Sequence, residues 1–330
     1  MKITIFGGSG FVGHNLTNIL EKKLIDFSIF DKKLSHNFPN KTILGNINSL
    51  TDLDKIQESD VYINLAAEHK DNVKPISLYD EVNIKGSQNI CNLARKNHVK
   101  KIIFASSVAV YGFSKPNTDE SGEHNYFNDY GRTKSLAEKV YIEWQKEDPD
   151  NRSLVIIRPT VIFGKGNRGN VYNLLNQIHK KAFALIGNGK NIKSMAYVEN
   201  VVDFFHYSLG FKNGIHIYNY IDKPDLNMND LVIKIRSTLF DKKNTGIKIP
   251  YFIGYLIGKL ADFYSAITGK ELPVSSIRIT KFTSTTKFNS SIQENTNFKP
   301  RYTLQEGLDK TLNYEFVDSL NDQKITFDTE

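Results

Sequence analysis

A single cysteine, Cys91, stands in the 330-residue chain, so no internal disulfide can form. Its place in the helical rhythm of ICNLARK (90–96) reads as a buried core thiol rather than a nucleophile. No stretch reaches eighteen uninterrupted apolar residues, so no spanning helix is expected. MKITIFGGSG opens directly on a strand and a turn, with no charged-then-apolar leader, and the expected location is cytoplasmic. Zinc-ligand spacing and the aromatic signature of RNA-binding sheets are both missing, which argues against nucleic acid as a partner. Internal repeats, low-complexity segments and clean linkers are missing too. What is present is an ordinary globular balance, 40% hydrophobic and 24% charged, over a length that suits two domains or one large α/β unit with an appendage. The net charge of +7 comes from scattered lysines and suggests anionic company, either a phosphorylated ligand or an acidic membrane surface.

The first informative segment is KITIF (2–6) followed by GGSGFVG (7–13) and a helical pattern through residue 23. Strand, glycine turn and helix are the setting in which glycine spacing acquires meaning. Gly7 permits the tight turn, Gly10 lets the backbone approach a pyrophosphate, and Gly13 lets the helix pack closely on the strand. Phe11 and Val12 open the helix whose free N–H groups would face the phosphates. A second strand, FSIFD (27–31), ends in Asp31, about twenty residues past the glycines. An acid there accepts hydrogen bonds from both hydroxyls of an adenosine ribose and repels a 2′-phosphate, so NAD is expected over NADP, with Lys32 and Lys33 softening the preference.

Strand-like runs at 41–47, 60–66 and 100–106 alternate with helical ones, including a helix across 81–97. This predicts a doubly wound parallel sheet with ligand positions at the strands' C-terminal ends. Those ends carry Asp31, Asn46, Ile47, Leu65, Ala66, Ala67, Ser106 and Ser107. In DYGRTK (129–134), Tyr130 and Lys134 fall at i and i+4 on one face of a helix predicted over 130–147. A nearby ammonium lowers the cost of ionising a phenol, which makes Tyr130 a candidate proton acceptor. On its own the pair reads first as an ordinary exposed helix pair.

Taken together, GGSGFVG, NLAAEH (64–69), VNIKGSQN (82–89), FASSVAVYG (104–112), YGRTK (130–134), RPTVIFG (158–164) and GNGKNIKSMAYVENVVD (187–203) resemble the extended short-chain dehydrogenase/reductases. The resemblance implies a Rossmann-type NAD-binding core over 1–165, with a later contribution near 190–220. It also implies a smaller, mainly substrate-binding lobe over 166–330. Ser107, Tyr130 and Lys134 become the expected catalytic set. Asn83 is expected to order the nicotinamide side, and Pro159 joins the cofactor-binding positions. Dehydratases of this family usually carry an Asp–Glu pair after the catalytic hydroxyl residue; here Val108 and Ala109 stand there, so elimination is not expected. The family points instead to C4 epimerisation of a sugar.

Two contacts usual for UDP-sugars are altered. RPTVIFG has Val161 and Ile162 where an asparagine pattern is usual, and Lys193–Ser194 replace an Arg–Asp pair. AAEHKDNVKPISLYD (66–80), RPTVIFGKGNRGNVYNLL (158–175), KSMAYVENVV (193–202), YNYIDKPDLNMNDL (218–231) and YTLQEGLDKTLNYEFV (302–317) resemble the bacterial 4-epimerases that act on N-acetylglucosamine carried by undecaprenyl diphosphate in O-antigen assembly. Lys165 and Arg168 are expected near such a diphosphate or else as solvated charges, and Asn170 and Lys193 are further substrate candidates, with Ser107 shared. Alternatives are a UDP-N-acetylglucosamine or UDP-glucose 4-epimerase, a sterol- or lipid-alcohol dehydrogenase, and a non-catalytic nucleotide sensor. The last needs no Tyr130.

The stretch 251–267 (YFIGYLIGKLADFYSAI) is apolar on two sides. It reads first as a core helix of the substrate lobe and second as a helix lying on the cytoplasmic face of a bacterial inner membrane. A homodimer is expected by analogy with the family, and no metal is expected. From Asp318 onward the polar tail is expected to be loosely attached.

Overall fold

The structure is a computed structural model and describes residues 1–70, 73–270, 272, 274–318 and 324–328. Seven strands, β1 (Lys2–Phe6), β2 (Asp26–Asp31), β3 (Thr42–Leu44), β4 (Val61–Asn64), β5 (Lys101–Ala105), β6 (Ser153–Pro159) and β7 (Gly214–Tyr220), make one sheet. Their order is β7-β6-β5-β4-β1-β2-β3, and every neighbour pair is parallel. The helices of eight residues or more among the described residues are α1 (Phe11–Lys22), α2 (Gly86–Lys96), α3 (Asp129–Lys146), α4 (Asn170–His179), α5 (Val198–Ser208), α6 (Met228–Phe240), α7 (Tyr251–Thr268), α8 (Ser276–Thr283) and α9 (Leu304–Leu312).

A parallel sheet is covered on both faces, and that is why its strands read as near-continuous apolar runs. On one face Ile3, Ile5, Ile29, Ile63, Val155 and Ile157 pack with residues of α1 and α5. On the other, Phe6, Phe30, Tyr62, Ile102, Phe104 and Ile156 pack with α2 and α3, and Cys91 lies fully inside this layer. Burial pushes its thiol up to about 12, so it stays protonated and inert. The strand order reverses between β1 and β4, and the crevice for a ligand opens there.

The second lobe has its own core of Phe163, Leu175, Leu185, Tyr197, Leu231, Ile235, Leu304 and Leu308. Three short two-stranded ladders join it: 161–163 with 195–197, 192–193 with 226–227, and 185–186 with 248–249. Thr303 and Glu306 form a reciprocal capping box that starts α9.

Two expectations are corrected. The helix over 251–267 forms, as α7, but it is not a core helix: among its residues only Gly254 and Gly258 are buried. The tail is not loose where it is described. Phe327 is 9% exposed and belongs to the core beside α1, its ring 5.9 Å from Phe11 and 5.1 Å from His14. Its backbone pairs with the 166–168 turn, donating to the Gly166 carbonyl at 2.9 Å and accepting from Arg168 N at 2.9 Å. An aromatic ring inside a polar segment found a cavity that composition does not reveal.

Candidate active site

The glycine turn is built by exclusion. Gly7 has φ +76°, and a Cβ there would stand 2.6 Å from the Ala66 nitrogen, so the turn lies directly on the Leu65–Ala67 segment leaving β4. A Cβ on Gly13 would meet the Gly8 backbone at 2.5 Å, which presses α1 onto the turn. Gly10 differs: a Cβ there would touch only the Gly7 carbonyl at 3.5 Å, with open space beyond. Gly10 caps α1 with no side-chain hydrogen bond, and the first turn holds no acid. The leading N–H groups, from Phe11 and Val12 on, therefore face an open hollow, the form an anion site requires.

Asp31 ends β2 beside that hollow. Its carboxylate accepts from Ser9 N at 2.9 Å and Lys33 N at 3.2 Å, which fixes its position and leaves lone pairs for a diol. Lys32 lies 3.8 Å from Glu68 and is half-exposed. Asn46 and Ile47 follow β3, where Asn46 Oδ1 accepts from Asn48 N at 3.0 Å and Ile47 is buried. Pro159 is the last residue of β6, opposite Tyr220. The cradle, the uncapped helix and the ordered acid fit a dinucleotide.

α3 carries the candidate catalytic pair within five successive residues, 130–134. Asn128 caps it, its side chain accepting from Gly131 N at 2.9 Å. A Cβ on Gly131 would fall 2.4 Å from the Ala109 carbonyl, so only glycine lets α3 approach the Ser107 loop this closely. Arg132 makes a two-pronged pair with Asp80, at 2.9 and 2.6 Å. Thr133 receives the Asn83 amide at 2.9 Å, and Asn83 also donates to the Glu68 carbonyl and accepts from Glu68 N, both at 2.9 Å. Asn83 thus ties the β4 exit to α3 from within a π-helical turn (Asp80–Lys85) that leads into α2. Tyr130 and Lys134 remain, the first half-buried and the second buried. Gly131, Arg132 and Thr133 escaped the sequence reading because their partners are far along the chain.

Burial dominates the electrostatics of the pair. Lys134 is buried, donates to the Ala105 carbonyl at 2.8 Å, and its ammonium is 5.9 Å from the Tyr130 ring centre. Burial pulls its pKa down to about 7, opposed by the Glu138 carboxylate. Burial likewise pushes the Tyr130 hydroxyl up to about 12, opposed by a hydrogen bond with Ser107. Lys134 does not by itself make Tyr130 acidic, because desolvation penalises both charged forms. Ser107 Oγ accepts from Ala109 N at 3.1 Å, which holds the hydroxyl at the end of β5.

Ser106 does not face the crevice. Its hydroxyl donates to Glu138, whose carboxylate also takes Arg158 at 2.9 and 2.6 Å. Arg158 donates onward to the Tyr111 hydroxyl at 2.6 Å, and Tyr111 to Asn219 at 2.8 Å. This buried polar layer lies directly beneath Lys134 and was not anticipated, although Glu138 repeats the i+4 spacing from Lys134.

The expected substrate residues divide. Lys193 Nζ is committed to the Lys281 carbonyl at 2.8 Å, and burial lowers its pKa to about 8. Ser194 donates to Asp225 at 2.6 Å. Arg168 is partly buried and paired: it meets the buried Glu315 carboxylate at 3.1 Å and lies 4.0 Å over the Tyr172 ring. Lys165 is exposed beside Tyr314, and Asn170 opens α4.

Residues 3–220 match the NAD dependent epimerase/dehydratase family. The chain is 48% identical, over 99% of both chains, to the N-acetyl-α-D-glucosaminyl-diphospho-ditrans,octacis-undecaprenol 4-epimerase of Escherichia coli O157:H7. It is 29% identical, over 94% of both, to the UDP-glucose 4-epimerase of Vibrio cholerae. The fold is that of the UDP-glucose 4-epimerase from Thermotoga maritima, with a TM-score of 0.74 at 17% identity over 95% of this chain and 98% of that one. With a cradle for a dinucleotide and a Ser–Tyr–Lys set at its edge, the chain belongs to the NAD dependent epimerase/dehydratase family.

Proposed function

We propose that this protein inverts C4 of N-acetylglucosamine carried on a polyprenyl (undecaprenyl) diphosphate, giving the N-acetylgalactosamine epimer for bacterial surface polysaccharide such as the O-antigen of lipopolysaccharide. The observation that carries the reading is the full-length likeness, through both lobes, to the relative from Escherichia coli O157:H7. Two features of the chain support it. Lys193 and Ser194, where UDP-sugar enzymes of the family usually have an Arg–Asp pair, are spent on internal partners. The helix Tyr251–Thr268 exposes an apolar face suited to work beside the membrane that holds such a carrier, while no helix among the described residues is long and apolar enough to cross one. A homodimer by family analogy is part of the same reading.

Bound NAD supplies a hydride acceptor and donor, which C4 inversion through a transient 4-keto sugar requires. The glycine turn, the N-terminus of α1 and Asp31 hold the dinucleotide; Asn83 and the Leu65–Ala67 segment fix the nicotinamide side. Tyr130 Oη takes the proton from the C4 hydroxyl and returns it after inversion. Ser107, already anchored by Ala109 N, hydrogen-bonds the same oxygen as charge grows on it. Lys134, delivered one helical turn from Tyr130, favours the ionised phenol once protonated. Val108 and Ala109 carry no proton, so the ketone is not followed by loss of water.

The test is a paired turnover assay with no cofactor added. One arm holds undecaprenyl-diphosphate N-acetylglucosamine in detergent, the other UDP-N-acetylglucosamine, and the released sugars are separated. Galacto product from the lipid arm alone is expected. Product from the UDP arm alone would replace the substrate, and NADH accumulating with an alcohol in place of epimer would replace the reaction.

A further inference from the structure

α7 is packed inside out. A core helix buries its large side chains and leaves small ones outside; here the inward positions are Gly254 and Gly258. A Cβ on Gly258 would stand 2.8 Å from the Ser276 backbone, and one on Gly254 would stand 2.7 Å from Ile186, so the helix lies flat on α8 and the 185–186 strand. Asp262 accepts from Ser276 N and Oγ, which pins the two helices together. Facing out are Phe252 (71% exposed), Leu256 (60%), Leu260 (62%), Phe263 (67%) and Ile267 (68%), with Ile277 of α8 beside them. Scattered exposed apolar residues need no explanation, but a contiguous row of this kind marks a contact surface.

The charge of the chain segment that carries the row selects the occupant. Residues 242–287 contain Lys242, Lys243, Lys248, Lys259, Lys270, Arg278, Lys281 and Lys287 against only Asp262 and Glu271, and Asp262 is already used by Ser276. A second copy seated on this face would bring two such basic sets together, at a repulsive cost. An anionic lipid surface meets both features, taking the apolar row into the acyl boundary and the cations at the headgroups.

The surface also leads to the site. Near the end of α8, Lys281 lies 5.0 Å over the ring of Phe127, whose ring is 4.7 Å from that of Phe113 and tilted 34° to it. Phe113 and Phe127 are both about half exposed, and Phe127 precedes Asn128, the cap of the helix that carries Tyr130.

The geometry points to the α7–α8 pair as a docking surface for an anionic phospholipid bilayer, with the Phe113–Phe127 shelf carrying the apolar surface from the bilayer to the rim of the active site. This inference rests on the lipid-carried substrate for its purpose, but its test does not. Purified protein with NAD is sedimented with vesicles of pure phosphatidylcholine, or of an equal mixture with phosphatidylglycerol, in the absence of any sugar substrate. Binding to the mixed vesicles, weakened by salt, is expected. Leu256→Ser with Phe263→Ser should lower partitioning by about tenfold or more, and Lys259→Glu with Lys270→Glu should abolish the preference for phosphatidylglycerol. These side chains face solvent, so retained NAD binding verifies that each variant is folded. Failure to bind mixed vesicles, or binding indifferent to the α7 substitutions, overturns the proposal. So does a dimer in sedimentation velocity that the Leu256→Ser/Phe263→Ser variant dissociates, since the face would then belong to a second copy. A protein that binds vesicles but turns over only UDP-sugar would leave the docking surface standing and sink the substrate reading alone.

Discussion

Tyr130 and Lys134 could be picked out by spacing, yet spacing says nothing of how deeply they are set. A lysine with its usual value near 10.5 unfolded and about 7 folded takes up a proton on unfolding anywhere between those values. Stability contributed through Lys134 therefore rises with pH across that window, and the penalty is complete below about pH 7. Lys134→Met should accordingly unfold at higher urea than the native protein at pH 6.5, by on the order of a few kcal/mol, with the gap closing toward pH 10. Turnover should fall a hundredfold or more in the same variant. A gap that does not change with pH would mean that Lys134 is charged in the folded protein. Tyr130→Phe tests the phenol directly: activity should fall about a thousandfold while NAD affinity is unchanged, and a variant that still turns over would remove Tyr130 from the mechanism. Ser107 was legible only as a hydroxyl at a strand end. Its contact with Tyr130 depends on two elements meeting, which no local pattern encodes.

At the scale of elements, the sheet was readable because parallel strands covered on both faces must be apolar throughout. Less readable was why α3 sits where it does. Gly131, Arg132 and Thr133 look like filler between Tyr130 and Lys134, but they set the distance to Ala109, Asp80 and Asn83. One turn further on, Glu138 closes the buried layer with Ser106 and Arg158. Removing one partner of such a pair strands the other charge, so Glu138→Gln should cost about 3–5 kcal/mol in urea unfolding. A structural role alone would stop there. The Glu138 carboxylate also favours the charged form of Lys134, so its loss should move the alkaline limb of the kcat profile to lower pH. An unmoved limb would reduce Glu138 to a structural brace. The apolar helix is the reverse case. Its composition was plain, but which side faced the protein depended on two glycines whose role appears only against Ser276 and Ile186.

For the whole molecule, the lobes are joined by more than one crossing. β7 and α5 return to the sheet after the first part of the second lobe, and the segment around Phe327 returns once more, at the far end of the chain. Sequence could not show this last return, since a lone aromatic in a polar stretch has no period to read. Phe327 packs against Phe11 and His14 of α1, the helix whose N-terminus faces the phosphate hollow, and pairs its backbone with the turn that carries Arg168. One residue thus bears on both the cofactor cradle, through its ring, and the 166–168 turn, through its backbone. Phe327→Ala should cost about 3 kcal/mol, the usual price of an aromatic-sized cavity. It should also weaken NAD binding several-fold, because α1 loses the ring that backs its first turn. Equilibrium unfolding and NAD titration of the same variant separate the two effects. A stability loss with unchanged NAD affinity would confine Phe327 to packing, while loss of both would mean that the cradle is held in part from the opposite end of the chain.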